Sequence, residues 1–423
     1  MKESSAYRPR IVDARLTHLL KAFGGVEITG PKWCGKTWTA THQAASVDSL
    51  AEYSTREAAL VDPALVLSGE EPHLIDEWQE VPQIWDAVRN HIDASGNRKG
   101  QLILTGSTQP RDLNLIRHSG TGRIAHLSMY PMTISESTEG AGGVSFSALF
   151  DGKFTPQRYS TNLFQISRLV CRGGWPSTIT LEDDFALETP IEYLNNVTNV
   201  TIPKVGKSAN TALAILRALA LNTGQPVRST TLIKDLAESS VSRPTLDSYI
   251  DLFQSLYLIE NLPSWAPQLR AKTKALARPK TYFVDPSLPA ALLSAHPDAL
   301  IKNTQTLGIL FETLVLRDLR VFLSAISGVG NRIGYYRDAQ GAEIDFVVQL
   351  GNGQWAGIET KLSDIAVTPA AATKLKKTAA KITDNLLTQV QAPTFLAFIV
   401  GKGDFAYQRD DGIYVIPAAM LEA

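Results

Sequence analysis

Cysteine is nearly missing from this chain: Cys34 and Cys171 are the two present among 423 residues. Two thiols so far apart make neither a disulfide framework nor a zinc site, and they suit a reducing compartment. Long apolar runs are missing too. Uninterrupted stretches such as residues 395–400 are far too short to span a bilayer. The first ten residues are polar and lack an apolar h-region, so no secretory signal is expected. Net charge is nearly absent: 41 Lys and Arg face 42 Asp and Glu, leaving −1. Nothing global calls for nucleic acid or an acidic partner, and any such role must come from a local patch. Together these absences lead us to expect a soluble, cytoplasmic protein with no membrane partner. The remainder is an ordinary globular balance, 44% hydrophobic and 20% charged. The length suffices for about two to four domains.

One stretch organises the rest. Gly30, Pro31, Lys32, Trp33, Cys34, Gly35, Lys36 and Thr37 fit G-x-x-x-x-G-K-[ST] at every fixed position, the pattern of a phosphate-binding loop. Residues 26–29 before it read as a short buried strand. Residues 38–45 after it carry no Gly or Pro and read as a helix. Gly30 and Gly35 let the backbone curl until successive N–H groups share one concavity, which binds anions. The positive end of the following helix faces the same point. Lys36 is expected to reach the β- and γ-phosphates of a nucleotide, and the Thr37 hydroxyl to sit on Mg²⁺. Cys34 reads as a small packing residue, with redox control of nucleotide binding as the alternative.

The flanking pattern supplies further candidates. Residues 11–23 show helical spacing and stop at Gly24 and Gly25. Residues 54–61 and 64–67 look like short helices broken at Asp62 and Pro63. Residues 73–77 form a short apolar strand ending in Asp76 and Glu77. Asp76 is expected in the Mg²⁺ shell, and Glu77 is expected to polarise the attacking water. Residues 82–92 read as an amphipathic helix and 101–105 as a strand. Ser107, with Thr108 second, is the candidate sensor between γ-phosphate and water; a plain strand-ending turn is the other reading. Arg123, in competition with Arg117, could reach phosphates bound by a neighbouring copy. An ordinary surface arginine explains either equally well.

Gly30 to Thr37, Ile75 to Gln79, Leu104 to Ser107, and Gly122 and Arg123 with Tyr130 and Pro131 resemble a large group of prokaryotic AAA-type ATPases. These carry an uncharacterised conserved domain after the ATPase module. The resemblance implies an ATP-binding domain of the AAA+ class, an αβα sandwich around a parallel sheet. Lys32, Trp33 and Trp78 depart from the family's usual residues, but none is an inferred phosphate or metal ligand. Arg172, Gly173, Gly174, Trp175 and Pro176 match another stretch of the same family. There Arg172 contacts nucleotide or the preceding domain, or the stretch is simply a rigid turn.

Farther on, residues 211–222, 230–238 and 242–256 read as three helices, followed by an extended segment at 258–265. That order suggests a winged helix-turn-helix, though the third helix is poor in basic residues, and a protein-contact module fits as well. Arg270, Lys272, Lys274, Arg278 and Lys280 form a run without an acid, expected either to meet DNA phosphates or to be a solvated loop. Residues 304–326 read as a long helix containing Glu312. Strands at 343–348 and 354–361 carry Asp345, Glu359 and Lys361, with a turn at Asn352 and Gly353. This set resembles the core of the restriction-endonuclease-like fold. The resemblance implies a second Mg²⁺ site at Glu312, Asp345 and Glu359 with Lys361 beside the attacking water; a scaffold without chemistry is the other reading.

The expected organisation is α/β. A P-loop AAA-type ATPase domain covers 1–145, a connecting segment 146–205, a winged-helix-like module 206–298, and a restriction-endonuclease-like domain 299–423. The expected function is a Mg²⁺-dependent ATPase whose nucleotide state moves the carboxyl modules, in one version on DNA. One alternative is a nucleotide-gated protein-interaction module with slow hydrolysis and no nucleic-acid role. The other is an ATP-regulated, metal-dependent DNA nuclease. A homo-oligomer enters only through Arg123.

Overall fold

The computed structural model describes residues 7–106, 119–137, 140–236, 241–266, 278–384 and 390–423. The chain packs as two compact units. The first comprises Met1–Pro131 with Leu252–Leu258, and the second Met132–Asp251 with Ile259–Ala423.

In the first unit, strands β1 (Gly25–Thr29), β2 (Ser46–Ser49), β3 (His73–Asp76), β4 (Leu102–Gly106) and β5 (Ile124–Ser128) form one sheet. Their order is β2-β3-β4-β1-β5, and every pairing is parallel. A parallel sheet is covered on both faces, so its central strands are apolar on both sides. β4, Leu-Ile-Leu-Thr-Gly, is buried at all five positions. Ile103 faces the same side as Val26, Ile28 and Leu74, against Leu16, Leu19 and Leu20 of the helix Val12–Ala22. Leu102 and Leu104 face the other side, against Ile84, Trp85, Val88 and Ile92 of the helix Ile84–Ala94. The result is an αβα sandwich with β1 between β4 and β5. The expected helix at 64–67 is instead a 3₁₀ turn, Pro63–Val66, whose Ala64 N–H donates to Asp62 Oδ1 at 2.9 Å.

The three expected helices run Ala209–Leu221, Ser229–Asp235 and Arg243–Ser255; the first two and residues 243–251 of the third belong to the second unit. Strands β6 (Val144–Ser145) and β7 (Gln157–Thr161) precede them; β8 (Ile259–Leu262) and β9 (Lys280–Phe283) follow as an antiparallel pair. The long helix Thr304–Ala325 leads to a mixed sheet of β10 (Arg332–Arg337), β11 (Glu343–Gln349), β12 (Trp355–Ser363), β13 (Phe395–Gln408) and β14 (Tyr414–Pro417). β10, β11 and β12 are antiparallel; β12, β13 and β14 are parallel. The helix Pro369–Thr383 crosses between β12 and β13 and buries Ala372, Leu375, Ala379 and Ile382.

Residues 144–161 supply two strands that pair with the carboxyl part. β7 pairs antiparallel with β13, and the Thr161 hydroxyl donates to Gly401 O at 2.7 Å. β15 (Leu421–Glu422) closes against β6. β7, Gln-Arg-Tyr-Ser-Thr, is mostly polar, so its sequence has little strand signal. No helix among the described residues is long and apolar enough to cross a membrane.

Candidate nucleotide site

The loop leaves the carboxyl end of β1. Gly30 has φ 149° and Gly35 φ 102°, backbone that disfavours other residues. A Cβ on Gly30 would lie 2.1 Å from Met129 O, so the loop runs directly against the backbone after β5. Trp33 takes φ 64° at the loop's tip and is exposed, while Cys34 is fully buried. The helix Lys36–Gln43 starts at Gly35, as the motif requires. Lys36 is buried, and its ammonium donates to Gly30 O at 3.0 Å and Pro31 O at 2.7 Å. It is thereby folded over the concavity, a position from which a phosphate oxygen can take over its bonds.

Asp76 closes the other side. β3 and β4 bring it level with Thr105. Its Oδ1 accepts from the Thr37 hydroxyl at 2.9 Å and from the Thr105 hydroxyl at 2.5 Å. The Ser49 hydroxyl donates to Oδ2 at 3.4 Å. Thr37 and Asp76 are 39 positions apart in the chain, and only the strand order brings them together. Glu77 follows in a left-handed conformation, φ 56°, and its carboxylate accepts from Gln79. Ser107, Thr108 and Arg117 lie outside the described residues.

Two residues were not anticipated. Arg10 is buried, donating from Nη1 to Cys34 O at 2.8 Å and from Nη2 to Tyr130 O at 2.9 Å. It holds the loop from behind. An arginine in a polar amino-terminal stretch carries no local sign of that role. Thr105 was read as the end of a strand; its place two residues before Ser107 is the signal that could have found it.

Glu27 is the polar exception within β1. Trp78 Nε1 donates to its Oε1 at 3.0 Å, and His126 Nδ1 lies 2.7 Å from Oε2. This bond raises the His126 pKa against the opposing pull of burial. Tyr257 belongs to the first unit as well, and its hydroxyl bonds the Thr29 side chain, one residue before the loop.

Arg123 precedes β5, at the amino end of the sheet. The loop leaves the carboxyl end, roughly 16 Å away at about 3.3 Å per strand residue. Arg123 Nε donates to Asp93 Oδ1 at 2.8 Å and holds that carboxyl below its usual range. It does not converge on the loop of its own chain.

The second expected set, Glu312, Asp345 and Glu359 with Lys361, is engaged with neighbouring protein groups. Among the described residues no three His, Cys, Asp or Glu side chains are placed to hold a metal ion. Lys280 is one of those neighbouring groups. Read as part of a DNA-facing run, it is instead buried, with Nζ 2.8 Å from Glu343 Oε1 and 3.6 Å from Glu312 Oε1. Glu312 also accepts from the Tyr282 hydroxyl, and burial pushes its pKa up to about 7. Asp345 Oδ2 accepts from the Thr360 N–H at 2.9 Å and hydroxyl at 3.1 Å. Lys361 donates to Glu359 Oε2 at 3.0 Å. Each carboxylate already has a donor of its own. Of the remaining basic run, Arg278 is exposed, and Arg270, Lys272 and Lys274 lie outside the described residues.

Arg172 to Pro176 form a buried turn in the second unit. Gly173 has φ 74°, and a Cβ on Gly174 would lie 2.1 Å from Met132 O. Trp175 is fully buried, its Nε1 donating to Ser287 Oγ at 2.9 Å. Arg172 is also buried, and its Nε donates to Gly173 O at 3.3 Å.

Comparison with known proteins agrees with this geometry. A family described as an AAA domain matches residues 24–138. Two families described as domains of unknown function, DUF8612 and DUF4143, match 163–299 and 307–421. No curated protein matches the chain at a significant level. Among solved structures, the Walker-type ATPase of Pyrococcus abyssi is 14% identical, covering 69% of this chain and 97% of its own, with a TM-score of 0.41. The RuvB Holliday junction branch migration motor of Thermotoga maritima is 17% identical over 60% of this chain and 89% of its own, at 0.24. The ORC1 protein of Aeropyrum pernix, solved in complex with DNA, is 11% identical over 71% and 97%, at 0.27. Along the chain, a region similar to an AAA domain is thus followed by two regions that match families of unknown function.

Proposed function

We propose that the protein binds ATP with Mg²⁺ at Gly30–Thr37 and hydrolyses it, and that its nucleotide state acts on the carboxyl-terminal part. The observation that carries this reading is the convergence of Thr37 and Thr105 on Asp76 beside a lysine folded onto the loop's own carbonyls. A hydroxyl and a carboxylate form an oxygen donor set that suits Mg²⁺. Gly30 and Gly35, both at positive φ, suit a phosphate cradle. Thr37 and Asp76 would hold the ion, which supplies charge against the β- and γ-phosphate oxygens.

The chain's own groups do the rest. Lys36 exchanges its carbonyl partners for phosphate oxygens and orients the γ-phosphoryl group. Glu77 orients a water and takes its proton as the oxygen attacks phosphorus. The bond to the β-phosphate oxygen breaks, leaving ADP and phosphate. Arg10 keeps the loop seated throughout. Nuclease chemistry is not part of this reading, which rests on the phosphate loop and Asp76.

Calorimetry with Mg²⁺ and ATP, together with phosphate release, tests the proposal on wild type and Lys36→Ala. Wild type is expected to bind and turn over ATP, and the variant to lose both. Folded wild type that takes up no nucleotide overturns it. Turnover raised by nucleic acid selects action on DNA over a nucleotide-gated protein contact.

A further inference from the structure

We infer that the exposed face of the helix Pro369–Thr383 is a sequence-independent track for the phosphodiester backbone of a nucleic acid. The helix has four lysines and no carboxylate in 15 residues. Its apolar side is buried, so the charge is concentrated on the other side. Lys374, Lys377 and Lys381 follow one another at spacings of three and four residues, which stacks them along one face. At 1.5 Å per residue the row is about 10 Å long, roughly three phosphate spacings along one strand.

The row lines a groove of about 570 Å³ with Ala342, Pro369 and Thr373, and no acid lines it. The carboxylates acting on it are Asp338 and Glu359. Lys381 donates to Asp338 Oδ2 at 2.5 Å and Gln340 Oε1 at 2.9 Å, which fixes it at the groove's edge. Glu359 acts on Lys374 electrostatically. Lys377 has no carboxylate partner among the described residues. The groove also has little that could read a base. The Thr373 hydroxyl donates to Pro369 O at 2.8 Å and the Thr378 hydroxyl to Lys374 O at 3.0 Å. Aromatic side chains, on which bases stack, are absent from the lining. A compact polyphosphate would need converging donors and a backbone cradle. Ammonium groups in line suit an extended polyanion.

The test uses the full chain without nucleotide, so its outcome is independent of the phosphate loop. Fluorescence anisotropy is measured with labelled duplex DNA, single-stranded DNA and RNA of about 20 units, at about 50 to 200 mM salt. Lys374→Glu with Lys377→Glu is compared with wild type and with Lys21→Glu, an exposed lysine of the first unit. The double variant is expected to bind at least about tenfold more weakly at low salt. Its slope of log affinity against log salt should fall by about 1.8 on duplex DNA, at about 0.9 per lost phosphate contact. Lys21→Glu should match wild type. Loss on one of the three polymers identifies the strand that the track takes. A double variant equal to wild type, an equal loss in Lys21→Glu, or a wild type that binds none of the three overturns the inference.

Discussion

At the scale of single residues, the first unit contains a titrating contact whose sign can be worked out. Glu27 raises the His126 pKa above its ordinary value of about 6.5. The folded state therefore holds that proton more tightly than the unfolded chain does. The contribution to stability is full below about pH 6.5 and is lost as pH rises through the higher folded value. Denaturant unfolding between pH 5.5 and 8.5 should show wild type losing stability over that upper range, and His126→Asn should flatten the loss. His126 is exposed and its charge is screened by solvent, so the effect is expected to be small. An identical pH dependence in both proteins would exclude the contact. The phosphate loop teaches the same scale from the sequence side. Its fixed positions were legible because each answers a local backbone need. Arg10 was not legible, since its partners Cys34 and Tyr130 stand 24 and 120 positions away.

At the scale of elements, the second unit is pinned by a buried ion triad. Arg317, on the helix Thr304–Ala325, donates to Asp285 Oδ2 at 2.9 Å, and its Nη2 lies 2.7 Å from Asp318 Oδ1. Both acids raise the Arg317 pKa against burial, while burial pushes Asp318 up to about 6. Asp285 Oδ2 also accepts from the Gly174 N–H at 3.0 Å, and Asp318 Oδ2 from the Ile134 N–H at 3.1 Å. The triad thereby fastens the Arg172–Pro176 turn to the long helix. Arg317→Met leaves two carboxylates buried without their cation. It should cost about 3 to 5 kcal/mol in chemical unfolding. A loss under about 1 kcal/mol would mean that water reaches the site and the triad contributes little. The long helix and strand β11 were readable because their apolar positions repeat. β7 was not, because a polar strand is stabilised by its pairing with β13, which no local pattern reports.

At the scale of the whole molecule, ATP is a ligand of the native state in the proposed reading. With Mg²⁺ and ATP at about a hundred times the dissociation constant, unfolding of the first unit should require about 2.7 kcal/mol more free energy. Lys36→Ala should abolish the gain, and thermal melts with and without nucleotide measure it. A gain preserved in the variant would place the nucleotide elsewhere. The chain packs as two compact units, and β7 joins the carboxyl sheet by pairing with β13.

Residue order by itself determined the strand, loop and helix of the phosphate site, the alternation of strands and helices that follows, and the long helix with its antiparallel strands. These are set by backbone freedom at glycine, by apolar period and by turn chemistry, all of which act over a few neighbours. Only the tertiary structure decided that Thr105 shares Asp76 with Thr37, that Arg10 backs the loop, and that Lys280 is buried against Glu343. Those pairings join residues far apart in the chain. A charged side chain looks the same in a sequence whether its partner will be water or a carboxylate brought beside it by folding.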